Sequence, residues 1–193
     1  AVSKTKTIED IMSAYNSGQR LFGENRVQEL TEKYSNLPKD IKWNMIGNLQ
    51  SNKVKYIASF VDLIHSLDSL KLAKEINKQG EKNNRVIDCL VQIKISKEET
   101  KHGVSFDNFD EFYKNIKSLK FINIAGLMGM ASFTDDKNLI KDEFKSISSL
   151  YKKLKLVDKN FKYLSIGMSN DYNLAINEGG NMIRIGSRIF GER

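Results

Sequence analysis

The chain has 193 residues, 40% of them hydrophobic, which is enough for the core of one globular domain. It has no apolar run that could span a bilayer and no secretory start, so we expect a cytosolic protein without a membrane segment. The net charge of +7 comes from lysines scattered along the chain, which argues against nucleic-acid binding as the main function. The single cysteine, Cys89, lies in an apolar run and is predicted to be a buried structural thiol.

Short apolar segments alternate with amphipathic segments along the whole chain, and no linker interrupts them. The segments with strand character are Ala1–Lys4, Arg20–Phe22, Trp43–Ile46, Asp62–His65, Ile87–Ile95, Ile122–Met128, Tyr163–Ile166 and Met182–Ile185. The first of them already begins at residue 1, so we expect a single domain over residues 1–193 whose N-terminal part is truncated.

The segments between the strands carry helix signals. Thr7 offers an N-cap hydroxyl with the carboxylate of Asp10 three residues later, and Gly18 stands where that helix should end. Eight strands alternating with helices predict an α/β fold, a small (β/α)8 TIM barrel. An open doubly wound sheet is the alternative, but the first turn after a strand, Ser3–Thr7, lacks the glycine-rich loop of dinucleotide-binding sheets.

Lys4 ends the first predicted strand. In a barrel the active site lies at the carboxyl ends of the strands, so this side chain is expected at the barrel mouth. Burial there would favour the neutral amine, which can attack a carbonyl group. The alternative is an ordinary exposed lysine at a strand end.

The last two predicted strands end in small and hydroxylic residues. In barrels the loops after strands seven and eight commonly bind phosphate. Ser169 is a candidate cap for the helix around Ala175, and Gly186 would let backbone amides approach an anion. Ordinary capping and turn chemistry is the alternative.

Strand alternation directs Arg184 into the barrel, where it needs an acceptor. A cofactor ring nitrogen and a structural carboxylate are the two acceptors we consider. Asn25 adds a neutral hydrogen-bonding group to the same mouth. His65 and His102 have no neighbouring ligands at metal-binding spacing, so no metal site is predicted.

Several motifs, in this order and spacing, resemble the YggS/PROSC family of pyridoxal 5′-phosphate (PLP) homeostasis proteins. They are the segments 1–6 (AVSKTK), 22–25 (FGEN), 46–53 (IGNLQSNK), 126–128 (GLM), 165–169 (SIGMS) and 184–191 (RIGSRIFG). The resemblance implies a fold-type III PLP barrel, similar to the N-terminal domain of alanine racemase. One departure is Asn44, which stands where the family usually has histidine, so a role that needs an imidazole there is in doubt.

The resemblance also implies roles for individual residues. Lys4 resembles the lysine that forms the aldimine with PLP, and Arg184 resembles the arginine that faces the pyridine nitrogen. The residues that resemble the phosphate-binding and cofactor-lining positions are Ser169, Gly186 and Ser187 for the phosphate and Asn25, Ser165 and Met168 for the lining.

The function implied is cytosolic PLP binding in vitamin B6 homeostasis, with PLP-dependent apoenzymes as candidate partners and no robust turnover. We expect a monomer. The sequence ends a few residues after the last strand, so we expect no second domain to supply a base on the opposite face of the cofactor. The alternatives are a PLP-dependent enzyme similar to an amino-acid racemase, a Schiff-base aldolase that acts on a phosphosugar through Lys4 or Lys94, and a nucleic-acid-binding module.

Overall fold

The computed structural model describes residues 1–98 and 102–192. Its strands form one parallel sheet in which each strand pairs with the next along the chain. The strands are β1 (Leu21–Glu24), β2 (Lys42–Met45), β3 (Leu63–Leu67), β4 (Ile87–Ile93), β5 (Ile122–Gly129), β6 (Tyr163–Met168) and β7 (Met182–Arg184). Sequential parallel pairing without reversal is the topology of a β/α barrel.

Helices follow or precede these strands as the amphipathic segments predict. They are α1 (Ile8–Asn16), α2 (Val27–Asn36), α3 (Leu70–Lys82), α4 (Phe106–Lys117), α5 (Lys137–Val157), α6 (Tyr172–Asn177) and α7 (Ser187–Phe190), with a 3₁₀ helix at Ser51–Tyr56. The predicted start of α1 is confirmed, because Thr7 and Asp10 form a reciprocal capping box. Gly18, with φ of 99°, follows the end of that helix.

Residues 1–3 close the barrel. Val2 donates its N–H to the Ile185 carbonyl (2.7 Å), while the Ala1 carbonyl accepts from Gly23 (2.7 Å) and Ser3 donates to the Gly23 carbonyl (3.0 Å). This short segment therefore bridges β1 and the end of β7. The barrel prediction is confirmed, but the predicted strand Ala1–Lys4 is reduced to an isolated bridge at Val2, because the chain turns at Lys4 and Thr5.

The other seven predicted strands are all present, with ends that differ by at most two residues. Their side chains alternate between two environments. The larger core, which includes the buried Cys89, packs the sheet against the helices, whereas a smaller apolar cluster contains Leu63, Tyr163 and Met182. Two residues further along the same strands lie His65, Ser165 and Arg184, all buried. The barrel interior therefore has an apolar layer below a polar layer.

In the described part of the chain, no helix combines the length and apolar character needed to cross a membrane.

Candidate functional site

A cavity of about 880 Å³ opens at the carboxyl ends of the strands. Seven of the eight predicted site residues line it: Lys4, Asn25, Met168, Ser169, Arg184, Gly186 and Ser187. The eighth, Ser165, is fully buried, and its hydroxyl accepts a hydrogen bond from Arg184. The structure thus brings residues from both ends of the sequence into one site. This agrees with the general rule for these barrels, called here the barrel rule, that the active site lies at the carboxyl ends of the strands.

The loop after β5 also lines the cavity, and our sequence analysis did not assign it. Its lining residues run from Met130 to Asp135, followed by Lys137. Glu143 of α5 holds this loop through the N–H and hydroxyl of Ser132, at 2.8 and 2.6 Å. The barrel rule could have found this loop, since it too follows the carboxyl end of a strand.

Lys4 lies in a tight turn that lines the cavity. The turn runs from Ser3 to Lys6, whose N–H donates to the Ser3 carbonyl at 3.0 Å. Thr5 has φ of 64°, the left-handed conformation that a type II turn needs at its third position. A β-branched residue rarely adopts this conformation. The half-buried Lys4 side chain lines the cavity beside Lys6, whose Nζ donates to the Phe190 carbonyl at 2.9 Å.

A buried ion cluster lies next to this turn, and sequence reasoning missed it. Lys33 of α2 donates to Oε1 of Glu24 (2.8 Å), to Oε1 of Glu29 (2.7 Å) and to the Ser3 carbonyl (2.8 Å). Burial raises the pKa of Glu24, although its bonds from Lys33 and Ser3 act in the opposite direction. The i,i+4 spacing of Glu29 and Lys33 was the available signal, but it indicates only a helical ion pair.

Arg184 points into the barrel, as strand alternation predicts. Its Nη1 donates to the carbonyl and the hydroxyl of Ser165, at 2.8 and 2.7 Å, and its Nη2 donates to the Gly129 carbonyl at 3.0 Å. These acceptors are neutral, so the structural carboxylate considered from the sequence is not its hydrogen-bond partner. Burial lowers the pKa of Arg184 to about 10, which leaves the guanidinium charged at neutral pH.

His65 continues the polar layer from Ser165 to Asn44. Its Nδ1 lies 3.1 Å from the Ser165 hydroxyl, and its Nε2 lies 3.0 Å from Oδ1 of Asn44. The Asn44 amide nitrogen donates to the Lys42 carbonyl, so Oδ1 must accept from His65. The proton of the neutral ring is therefore on Nε2, and Nδ1 accepts from the Ser165 hydroxyl. This arrangement leaves the Ser165 oxygen to accept from Arg184.

Although Asn44 stands where the family usually has histidine, the structure places an imidazole next to it. Asn44 faces the barrel interior on β2, and the imidazole beside it comes from His65 on β3. An amide at position 44 accepts the hydrogen bond that fixes the tautomer of His65. Within the described chain, the polar layer contains an imidazole supplied by the neighbouring strand.

One wall of the cavity joins the ends of β6 and β7. The hydroxyl of Ser169 accepts from Gly186 N–H at 3.3 Å, and Arg188 Nε donates to the Ser169 carbonyl at 2.9 Å. A Cβ atom at Gly186 would lie 3.3 Å from the Val2 carbonyl oxygen, so glycine lets this wall approach the segment that precedes Lys4. Ser187 is the exposed first residue of α7.

The predicted capping role of Ser169 is wrong. Helix α6 begins at Tyr172 with Asp171 at its N-cap, and no side chain caps it by a hydrogen bond. The Asp171 carboxylate instead accepts from Met168 N–H at 2.5 Å. Because Ser169 lies two residues before the N-cap, its hydroxyl is directed to Gly186 and to the cavity wall.

Asn25 is placed by a close backbone approach. A Cβ atom at Gly47 would lie 2.3 Å from the Asn25 carbonyl oxygen, a contact that no side chain could tolerate. Gly47 therefore allows the chain after β2 to pack directly on the residue after β1. This contact gives a physical reason for glycine in the 46–53 motif.

We expect the free energy of unfolding to depend on pH because His65 is neutral in the folded protein. Burial and the positive charge of Arg184 hold the pKa of His65 well below its usual value of 6.5. Below that pH the unfolded chain binds a proton that the folded chain does not. The free energy of unfolding should therefore decrease as the pH falls below about 6.5, by at most about 1.4 kcal/mol per pH unit from this group.

The measurement is urea unfolding between pH 7.5 and about 5 for the wild type and for His65→Gln. Subtracting the two curves cancels the contribution of other titrating groups. The His65 contribution should appear as a smaller slope in the variant. Equal slopes would show that His65 takes up its proton normally in the folded state.

Comparison with known proteins places this barrel in a class. The family model described as "Alanine racemase, N-terminal domain" matches residues 1–193. The pyridoxal phosphate homeostasis protein of Aquifex aeolicus is 41% identical over 193 residues, a match that covers 99% of this chain and 85% of the relative. The protein of the same name from Pasteurella multocida is 40% identical over 200 residues, covering 100% and 85%. The chain therefore belongs to the family of pyridoxal phosphate homeostasis proteins, within the class of alanine racemase N-terminal domains.

Solved structures agree with this assignment. PipY of Synechococcus elongatus, solved with PLP bound, is 32% identical and superposes with a TM-score of 0.88, covering 99% of this chain and 91% of PipY. Alanine racemase from Bartonella henselae is only 14% identical and has a TM-score of 0.71, covering 99% of this chain and 53% of the racemase. The racemase shares the barrel fold, and at this identity the likeness shows the fold alone.

Proposed function

We propose that this protein binds PLP as a Schiff base on Lys4 and serves PLP homeostasis without catalytic turnover. The observation that carries the proposal is the shared cavity of Lys4, Arg184 and the wall formed by Ser169 and Gly186. The names of the relatives and the PLP bound to PipY support the same ligand.

The residues present fit the three reactive parts of PLP. The aldehyde requires an amine, which Lys4 supplies. The phosphate requires several hydrogen-bond donors, which the Ser169 and Ser187 hydroxyls and the nearby backbone N–H groups supply. The ring requires a partner near its nitrogen, and Arg184 is the proposed one. When bound, PLP supplies an aldehyde and a ring able to accept electrons.

Arg184 supports the absence of turnover. A guanidinium that stays charged at neutral pH disfavours protonation of a neighbouring ring nitrogen, and an unprotonated ring is a weak electron acceptor. Racemisation also needs acid–base groups on both faces of the cofactor, whereas Lys4 serves one face. We therefore propose a carrier rather than a racemase, acting as a monomer in the cytosol and delivering PLP to apoenzymes.

The aldolase alternative would use Lys4 or Lys94 as its nucleophile. Lys94 is not among the described residues that line the cavity, and its N–H is bonded to the Val104 carbonyl at 2.9 Å. Lys4, by contrast, lines the cavity together with Arg184 and Ser169. An aldolase without cofactor would be colourless, so the absorbance of the purified protein separates the two functions.

We expect the purified protein to show the visible band of a PLP Schiff base and to catalyse no sustained reaction. The test incubates the PLP-saturated protein with each L-amino acid and follows D-isomers by chiral chromatography and keto acids by coupled assay. Less than one product per protein molecule is expected. Sustained turnovers that disappear in Lys4→Ala would establish an enzyme, and a colourless protein that takes up no PLP would refute the binding function.

A further inference from the structure

The ion cluster of Lys33, Glu24 and Glu29 holds the backbone on both sides of Lys4. On one side, the Ser3 carbonyl accepts from Lys33 at 2.8 Å, and the Ser3 hydroxyl donates to Glu24 Oε1 at 2.6 Å. On the other side, Thr5 N–H donates to Glu29 Oε1 at 2.6 Å. The backbone at Lys4 cannot reorient without breaking at least one of these bonds.

The turn needs this support. Thr5 has a positive φ of 64°, which is unfavourable for a β-branched side chain and persists only where surrounding contacts enforce it. The bond from Thr5 N–H to Glu29 is such a contact. A relaxed turn would carry the Lys4 side chain away from its present direction, because Lys4 lies between the two held residues.

Stability alone does not explain the cluster. The side chains of Lys33 and Glu24 are 7% and 0% exposed, and Glu24 Oε2 has no hydrogen-bond partner among the described residues. Buried ion pairs of this kind are often no more stable than apolar residues of similar size, but they can select one local conformation. The conformation selected here is the Lys4 turn.

We propose that Lys33, acting with Glu24 and Glu29, is a positioning residue for Schiff-base formation at Lys4. In that step the lone pair of Nζ attacks the aldehyde carbon of PLP, a C=N bond forms, and the aldehyde oxygen leaves as water after taking up the two amine protons. Lys33 does not line the cavity, and it acts through the backbone of residues 3–5. The inference rests on the proposed function, since it concerns the same lysine and ligand.

The test compares PLP with pyridoxamine 5′-phosphate, which has the same ring and phosphate but no aldehyde. In Lys33→Met, Schiff-base formation with PLP should slow by about tenfold or more, because a small misplacement of a reacting group lowers its reactivity strongly. The Kd for pyridoxamine 5′-phosphate should stay within about twofold, because that ligand uses only the ring and phosphate contacts. The exposed Lys74→Met, on α3, is the matched control and should behave as wild type.

Substitutions of the partly exposed Glu29 give a second route should Lys33→Met fold poorly. Glu29→Gln keeps an acceptor for Thr5 N–H and should form the Schiff base nearly as fast as wild type. Glu29→Ala removes the acceptor and should slow the reaction as Lys33→Met does.

Two outcomes overturn the proposal. If Lys33→Met and Glu29→Ala weaken the binding of both ligands equally, the cluster has a general structural role. If both variants form the Schiff base at the wild-type rate, the cluster does not position Lys4. Wild-type protein that binds neither ligand would instead refute the proposed function itself. The wild-type measurement therefore separates failure of the function from failure of the positioning role.

Discussion

Replacing Lys4 with alanine is expected to abolish the Schiff base completely. Lys4 is the lysine at the centre of the turn that faces the cavity, and alanine has no amine to condense with the aldehyde. PLP should still bind weakly through its phosphate and ring. We therefore expect loss of the visible Schiff-base band together with a residual, dialysable complex.

Borohydride reduction followed by peptide mapping measures this directly. In the wild type the reduced label should lie on the peptide that contains Lys4, and in Lys4→Ala no stoichiometric label should remain. Lys94→Ala is the control, since Lys94 is not among the described cavity-lining residues. A label on Lys94, on Lys6 or on another lysine of the wild type would show that the anchor has been misassigned.

Replacing both Ser169 and Ser187 with alanine should weaken PLP binding by two orders of magnitude or more. Each lost hydrogen bond to a charged group is worth about 1.5–3 kcal/mol, and about 1.4 kcal/mol corresponds to tenfold in affinity. Ser169 also accepts from Gly186 N–H, so its loss loosens the wall between β6 and β7 as well. Unphosphorylated pyridoxal, which lacks the phosphate, should be nearly unaffected.

Equilibrium titration of both ligands against the double variant provides the measurement. Ser35→Ala with Ser149→Ala is a matched control, because both serines are exposed and donate to helix carbonyls outside the cavity. Thermal unfolding of all variants checks that the barrel is intact. If the double variant binds PLP and pyridoxal more weakly by the same factor, the phosphate is bound elsewhere in the cavity.

Much of the fold follows from local patterns. Short apolar segments between amphipathic segments predict the strands, and the Thr7–Asp10 pair predicts the start of α1. Both signals depend only on residues a few positions apart in the sequence. The barrel rule then places the carboxyl ends of the strands together, which is how Lys4 and Arg184 can be assigned to one mouth from opposite ends of the sequence. Ser169 shows the limit of local reasoning, since Asp171 occupies the N-cap position of its nearest helix and the Ser169 hydroxyl accepts from a residue of another loop.

By itself, the sequence determined the order of seven strands and of the helices between them, the family, and the place of Lys4 at the mouth of the barrel. Only the tertiary structure decided how that lysine is held and what surrounds Arg184. Lys33 contacts Ser3 across 30 positions of the chain, and His65 contacts Ser165 across 100. Such bonds depend on strand register and on the direction of side chains inside the closed barrel, and a shift of one residue would turn each side chain to the other face of the sheet. Local periodicity shows which face a residue occupies, and closure of the barrel selects its partner.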